Sequence, residues 1–174
     1  MPFAAIDFAR LNLQDALDYA ILIEEEARQR YADFSELVGK RYEGDAATFF
    51  DSMVVNEQKH RDDLAQRRRA LFADAPSRVD ADAIVDVEAP ETNQPRNYMS
   101  TRQALEIALA AERKAYDFFD EALLHVKDGA VRQLFLELRT EEMAHQRLVA
   151  DLLARVPGDD EPDRAVDEVD TPKL

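Results

Sequence analysis

The sequence predicts an all-α protein: a four-helix bundle of two helical hairpins joined by a long crossover connection. Three observations predict this fold. Glycine is scarce, with 4 in 174 residues, whereas Ala, Leu, Glu and Arg, which favour helices, are abundant. Four long segments place apolar residues at intervals of three and four, the spacing of one helix face. Residues 73–100, between the second and third segments, hold three prolines and no such period.

The first hairpin is predicted from two segments separated by a short loop. The first helix runs from about Asn12 to Val38 and ends at Gly39, since glycine commonly follows the last turn of a helix. The second runs from about Asp45, its predicted N-cap, to Phe72.

The second hairpin follows the crossover. Its first helix begins at Ser100 or Thr101 and runs to about Lys127. Asp128-Gly129 predicts a tight turn, and the fourth helix runs from about Ala130 to Val156. Residues 1–156 are therefore interpreted as one domain. Residues 157–174 form an acidic, proline-containing tail that we expect to be disordered.

Charge and composition exclude several classes of function. The formal net charge of −15 opposes binding to nucleic acid or to an anionic membrane surface. No stretch has the roughly 20 apolar residues of a membrane span, and the N-terminal sequence lacks the basic and apolar regions of a signal peptide. We therefore expect a cytoplasmic protein. The lack of cysteine excludes disulfides, thiolate zinc sites and iron–sulfur clusters.

Each apolar helix face is interrupted by acidic or histidine side chains near its middle. In each hairpin the first helix contributes one Glu and the second a Glu-x-x-His, so that two residues lie on one face. Antiparallel packing within each hairpin brings such mid-helix positions to one level of the bundle. The interrupting residues are Glu24, Glu57, His60, Glu112, Glu142 and His145.

The charge of this set predicts a metal site. Burying four carboxylates together is costly unless something compensates. Two divalent cations balance four negative charges, and two neutral imidazoles complete the ligand shells. With no cysteine, Glu and His ligands suit iron, manganese or zinc. The alternative is a metal-free bundle in which the buried polar residues fix the helix register.

The motifs that carry these residues resemble a known family. They are "EEEARQRY" from Glu24, "NEQKH" ending at His60, "AAERKAYDFF" around Glu112, and "EEMAH" ending at His145. Four glutamates and two histidines in this order match the carboxylate-bridged di-metal sites of ferritin-like bundles, whose helices are joined by one long crossover. Over about residues 11–156 the sequence resembles the ferritin-like superfamily and, within it, the rubrerythrins.

The resemblance implies a centre of two iron ions, with manganese or zinc as possible substitutes. Hydrogen peroxide or dioxygen would oxidise the Fe(II) pair, in oxidative-stress defence or iron handling. Glu57 and Glu142 are predicted to be the catalytic, bridging carboxylates, and Glu24 and Glu112 terminal ligands. His60 and His145 would each bind one metal. Tyr31 and Tyr116 are candidates for hydrogen bonds to ligand carboxylates.

Two departures from the rubrerythrin pattern affect the predicted reaction. Ala115 stands where rubrerythrins carry an additional Glu, one turn after the third-helix ligand. The absence of cysteine excludes the rubredoxin module, so electrons would come from a separate donor protein or from Fe(II) itself. Two alternatives stay open, a di-manganese catalase-like enzyme and an iron storage or trafficking protein. The long crossover and the resemblance favour a homodimer over a storage cage.

Overall fold

The computed structural model describes residues 6–92 and 99–158. These residues form four long helices and no strand, which confirms the predicted all-α bundle. The helices are α1 (Leu13–Val38), α2 (Ala46–Phe72), α3 (Thr101–His125) and α4 (Gly129–Leu153). A short 3₁₀ helix at Phe8–Arg10 precedes α1, and another at Ala81–Ile84 lies in the crossover.

Side-chain caps fix the helix starts close to the predicted positions. Asn12 and Asp45 accept hydrogen bonds from the first turns of α1 and α2, and so satisfy backbone N–H groups that have no partner within the helix. Ser100 and Gln103 form a reciprocal capping box at the start of α3. Gly39 follows α1 with a φ of +68°, a conformation that favours glycine.

The predicted tight turn at Asp128-Gly129 is wrong. The Asp128 carboxylate instead caps α4 by accepting from the backbone N–H groups of Ala130 and Val131. Gly129 is therefore the first residue of α4. Helices α3 and α4 also end two and three residues before the predicted positions, since helix ends are poorly specified by periodicity alone.

Hydrogen bonds between helix ends establish the topology. The Gln14 amide donates to the carbonyl of Pro76, which places the start of α1 beside the end of α2. The Arg102 guanidinium donates to the Leu153 carbonyl, so α3 and α4 are also antiparallel. The Thr101 hydroxyl donates to the Gly44 carbonyl. Helices α2 and α3 therefore begin at the same end and run parallel, as the long crossover requires.

The apolar core consists of two clusters, one on each side of the predicted polar layer. The first half of α1 and the second half of α2 belong to one cluster, with Leu17, Phe118 and Phe135 among its buried members. The second half of α1 and the first half of α2 belong to the other, which contains Phe34 and Phe50. The interruptions in the helix faces thus correspond to a real gap between two apolar cores.

The crossover is tied to the bundle at 86–90. Glu26 accepts from the backbone N–H of Asp86, and Arg30 donates to the carbonyl of Pro90. The Lys114 ammonium donates to the carbonyls of Asp86 and Ala89. This segment thus contacts α1 and α3 together, and its residues from position 87 to 90 are buried.

The sequence also predicts a disordered C-terminal tail and no membrane-spanning segment. The predicted disordered tail, 157–174, lies outside the described residues except at its first two positions. Among the helices that the structure describes, none is long and apolar enough to cross a bilayer.

Candidate metal centre

The structure brings all six predicted residues together between the two apolar clusters. Glu57, Glu112 and Glu142 are 0, 1 and 2 % exposed, and Glu24 is 5 % exposed. Each hairpin supplies one compact trio whose potential ligand atoms lie within 4.8 Å of one another. The trios are Glu24, Glu57 and His60 in the first hairpin, and Glu112, Glu142 and His145 in the second. The helix spacing therefore produces two equivalent half-sites.

The two histidines connect the half-sites. His60 Nδ1 lies 3.7 Å from carboxylate oxygens of both Glu24 and Glu57. His145 Nδ1 lies 3.3 Å from Glu112 and 3.9 Å from Glu142. The two imidazole rings stack with centroids 4.7 Å apart and planes inclined by 6°. Both histidines thus direct one ring nitrogen at the carboxylates of their own hairpin.

The carboxylates have unsatisfied oxygens, which tests whether the residues fit a metal pair. Both oxygens of Glu57 and both oxygens of Glu112 are buried without a hydrogen-bond partner among the described residues. One oxygen of Glu24 and one of Glu142 are likewise buried without a hydrogen-bond partner among the described residues. Buried polar groups are normally paired, and a buried unpaired carboxylate is especially costly. Oxygen and imidazole donors aimed at one another without bonding fit divalent cations such as iron, manganese or zinc.

The electrostatics of the metal-free site favour bound protons. Burial raises the pKa of Glu24 to about 8, and the neighbouring Glu57 carboxylate acts in the same direction. Burial and the nearby Glu112 carboxylate raise the pKa of Glu142 as well. Burial lowers the pKa of His60, but the nearby carboxylates of Glu24 and Glu57 favour the protonated imidazole more strongly and raise the pKa to about 10. Without metal, protons therefore replace part of the missing positive charge.

Comparisons with known proteins agree with this geometry. The family profile of rubrerythrin matches residues 15–153, which include all six site residues. This chain belongs to the rubrerythrin family. The crystal structure of an uncharacterised conserved protein from Magnetospirillum magnetotacticum MS-1 is similar, with a TM-score of 0.67 and 25% sequence identity. That similarity covers 85% of this chain and 97% of the other. No curated protein matches the sequence significantly.

The site of this rubrerythrin-family protein contains a fifth carboxylate that the sequence analysis missed. Glu88, in the crossover, is 2 % exposed. Its ligand atom groups with those of Glu24 and Glu142, and also with those of Glu57 and Glu112, within 4.8 Å. Helical periodicity could not identify it because Glu88 lies in no helix. The only sequence signal was a single acidic residue within the short apolar run Val87–Pro90.

The two tyrosines predicted to support the site occupy different environments. Tyr31 is completely buried, and its hydroxyl has no hydrogen-bond partner within the described part of the chain. Burial, and then the negative charges of the site carboxylates, raise its pKa well above the usual value. Tyr116 is partly exposed, and the Arg139 guanidinium lies 6.0 Å from its ring centroid. Tyr31 is thus the better placed to donate to a ligand carboxylate.

Two cavities reach the histidines from the α2–α4 side. One of about 140 Å³ is lined by His60, Arg67 and by acidic and apolar residues that include Glu137, Leu138 and Glu141. The other, about 20 Å³, reaches Glu112 and His145. Since a water molecule occupies about 30 Å³ in the liquid, the larger cavity has room for a small oxidant or a hydrated ion beside His60.

Proposed function

We propose that the protein is a non-haem di-iron oxidoreductase of the peroxidase or ferroxidase type. The observation that carries this proposal is the buried layer of four glutamates and two histidines whose facing atoms are largely unpaired. Membership of the rubrerythrin family supports a di-metal centre in general. Beyond this, we propose that the metal is iron, that the oxidant is hydrogen peroxide or dioxygen, and that the reaction is of the peroxidase or ferroxidase type.

The ligands divide evenly between the two metal positions. Glu24 and His60 would hold one ion, and Glu112 and His145 the other. Glu57 and Glu142 would bridge the pair, as the resemblance to rubrerythrins implies, and each carries at least one unpaired buried oxygen. The four carboxylates carry a charge of −4, which two divalent ions neutralise. This accounts for a set of buried acids that would otherwise destabilise the fold.

Two Fe(II) ions held together would supply the two electrons that reduce hydrogen peroxide to two water molecules, so that single-electron radical products are avoided. The chain holds the ligands in position and shields them from bulk water. Helices α1 to α4 fix the ligands on rigid elements, and the apolar clusters on both sides exclude bulk water. Metal binding would displace protons from the ligand carboxylates and imidazoles, so the two protons that peroxide reduction consumes would come from solvent.

The larger cavity suits the proposed substrates. Besides His60, it is lined by three acids, Asp63, Glu137 and Glu141, and by one base, Arg67, which pairs with Glu137. The excess of acids attracts cations, which favours Fe(II) entering from this side. Hydrogen peroxide and dioxygen are uncharged and small enough for the same route. Electrons for repeated turnover would come from a separate donor protein or from Fe(II) itself, because these 174 residues contain no cysteine for an iron–sulfur or rubredoxin-type site.

The proposal is tested by anaerobic titration with Fe(II), followed by addition of either hydrogen peroxide or air. We expect two Fe(II) bound per chain and oxidation of both ions by a single equivalent of peroxide. Loss of iron binding is expected in Glu57→Ala and Glu142→Ala. The control is Asp151→Ala, because Asp151 is an exposed acid on the same helix as Glu142 and lies outside the ligand trio and the cavity lining.

Different results separate the alternatives. Oxygen evolution from peroxide by the manganese-loaded protein, without activity of the iron form, would indicate a catalase-like enzyme. Full iron binding by both Glu→Ala variants would contradict the site assignment.

A further inference from the structure

The crossover between the hairpins inserts one acidic side chain into the metal layer. Glu88 lies between Val87 and Ala89, which are both completely buried, and is itself 2 % exposed. Its Oε2 has no hydrogen-bond partner among the residues that the structure describes. This oxygen is therefore not satisfied by donors of the described residues. The Glu88 carboxylate lies among the other carboxylates of the site.

The position of Glu88 relates it to both half-sites. Its ligand atom lies within 4.8 Å of those of Glu24 and Glu142, and equally within 4.8 Å of those of Glu57 and Glu112. These four glutamates come from the four different helices. A single side chain from the crossover thus reaches the carboxylates of both proposed metal positions.

The backbone around Glu88 is held firmly from two sides. Arg30 donates to the Pro90 carbonyl and pairs with the Asp86 carboxylate, at 3.2 Å. From α3, Lys114 donates to the Asp86 and Ala89 carbonyls at 3.0 and 2.7 Å. Charged donors to backbone carbonyls make comparatively strong hydrogen bonds. These contacts fix the segment so that position 88 faces the site.

A purely structural segment does not require an acid at this position. An apolar side chain between Val87 and Ala89 would continue the buried run, whereas a fifth carboxylate adds repulsion to four others. A bound cation removes that repulsion. Carboxylate oxygens are also the ligands that iron and manganese accept readily.

We propose that Glu88 is a further carboxylate ligand of the metal pair, supplied by the crossover and able to bind at either metal position. This inference rests on the proposed di-metal site. It makes the donor set seven residues, with a carboxylate charge of −5. That charge exceeds the +4 of two divalent ions and is below the +6 of two trivalent ions. Glu88 therefore favours the oxidised pair, and its neutralisation raises the reduction potential.

The test compares wild type with Glu88→Gln, which keeps the shape and removes the charge. Equilibrium binding of Mn(II), a redox-stable probe, is followed by the electron paramagnetic resonance signal of the free ion. Because even groups behind the ligands change metal affinity 10–100-fold, we expect binding at least about ten-fold weaker in Glu88→Gln. The reduction potential of the iron-loaded variant is expected to be higher than that of wild type.

Thermal unfolding separates a ligand from a structural residue. Metal-free Glu88→Gln is expected to be as stable as wild type or more stable, because Gln is an uncharged side chain of the same shape. Its gain in melting temperature with Mn(II) is expected to be smaller than that of wild type. The control is Asp82→Asn in the same crossover, an exposed acid that belongs to neither ligand trio and takes no part in the contacts of Arg30 and Lys114 with the segment. It should leave metal affinity unchanged.

The possible outcomes are distinguishable. If wild type binds two Mn(II) and Glu88→Gln binds them equally well, the ligand role is overturned and the six-residue site stands. If Glu88→Gln lowers metal-free and loaded stability equally, Glu88 is only structural and the inference fails. If wild type binds no metal, the proposed function itself is wrong, and a ligand role for Glu88 is overturned with it.

Discussion

At the scale of single residues, Glu24 shows how the buried site couples stability to pH. The pKa of Glu24 is raised from 4.5 to about 8, and that of His60 from 6.5 to about 10. Between about pH 4.5 and pH 10, the folded metal-free protein therefore binds more protons than the unfolded chain. Its stability therefore falls as pH rises, by up to about 1.4 kcal/mol per pH unit for each proton involved.

This predicts that urea unfolding of the metal-free protein, measured in a chelator, gives a lower free energy of unfolding at pH 9 than at pH 6. Glu24→Gln should flatten that dependence, because it removes one titrating group and one neighbour that raises the pKa of His60. Glu36→Gln, an exposed change on the same helix, should retain the wild-type slope. A slope in Glu24→Gln as steep as that of wild type would contradict the assignment of these protons to the site.

Tyr31 gives a second prediction at this scale. Its completely buried hydroxyl has no partner among the described residues, so Tyr31→Phe removes an unsatisfied polar group. The metal-free variant should be as stable as wild type, or more stable by about 1 kcal/mol. If the hydroxyl supports a ligand carboxylate in the loaded protein, Mn(II) binding weakens about ten-fold. Thermal unfolding and metal titration measure the two effects.

Tyr116→Phe is the matched control, because Tyr116 packs against Arg139 at the edge of the bundle. It should leave Mn(II) affinity unchanged. Unchanged affinity in Tyr31→Phe as well would show that its hydroxyl does not act on the ligands.

At the scale of elements, the helices and the crossover differ in how far sequence predicts them. The helix faces were predictable because apolar spacing in one segment reports burial of that segment, and an interruption such as Glu57 then stands out. Glu88 was not predictable in this way. Its burial depends on Arg30 and Lys114, residues of two distant helices that hold the crossover in place. Such contacts are specified by the tertiary structure and leave no local period.

The same reasoning explains the smaller errors. Asp128-Gly129 has the composition of a turn, but an Asp before a helix can also cap it. Because α4 begins at Gly129, Asp128 acts as its N-cap and the two residues do not form a separate turn.

Ala115, which stands where rubrerythrins carry an additional Glu, is completely buried on α3. This departure from the rubrerythrin pattern therefore lies in the core.

The hydrogen bonds from Lys114 to the crossover lead to a prediction at this scale. Lys114→Met removes two hydrogen bonds to backbone carbonyls while retaining an apolar side chain of similar length. We expect the variant to lose about 1–3 kcal/mol of stability, the usual value for hydrogen bonds to charged groups. Hydrogen exchange of the backbone amides at 86–90 should become faster, while the centres of α1 to α4 remain protected.

Arg113→Met, on the exposed side of α3, is the control for loss of one positive charge. It should leave exchange in the crossover unchanged. Equal exchange rates at 86–90 in both variants and in wild type would show that Lys114 does not hold the segment.

At the scale of the whole molecule, the arrangement of two half-sites determines how much metal the protein takes up. Each hairpin contributes one histidine, and the donors converge in a single layer between two apolar clusters. That layer has donors for two ions, and the clusters on either side of it consist of apolar side chains. A storage protein instead requires a large closed cage with an internal cavity, which forms only from many chains.

The final prediction follows from this limit. Aerobic addition of Fe(II) should saturate at two ions per chain, and further iron should remain in solution or precipitate outside the protein. The particle mass, measured by sedimentation, should be near twice the chain mass of 19.8 kDa for the proposed homodimer. Uptake of many ions per chain, in a particle of far larger mass, would replace the oxidoreductase proposal by storage. Two ions per chain in a small particle would leave the metal pair as the site of reaction, because the layer between the clusters supplies donors for two ions.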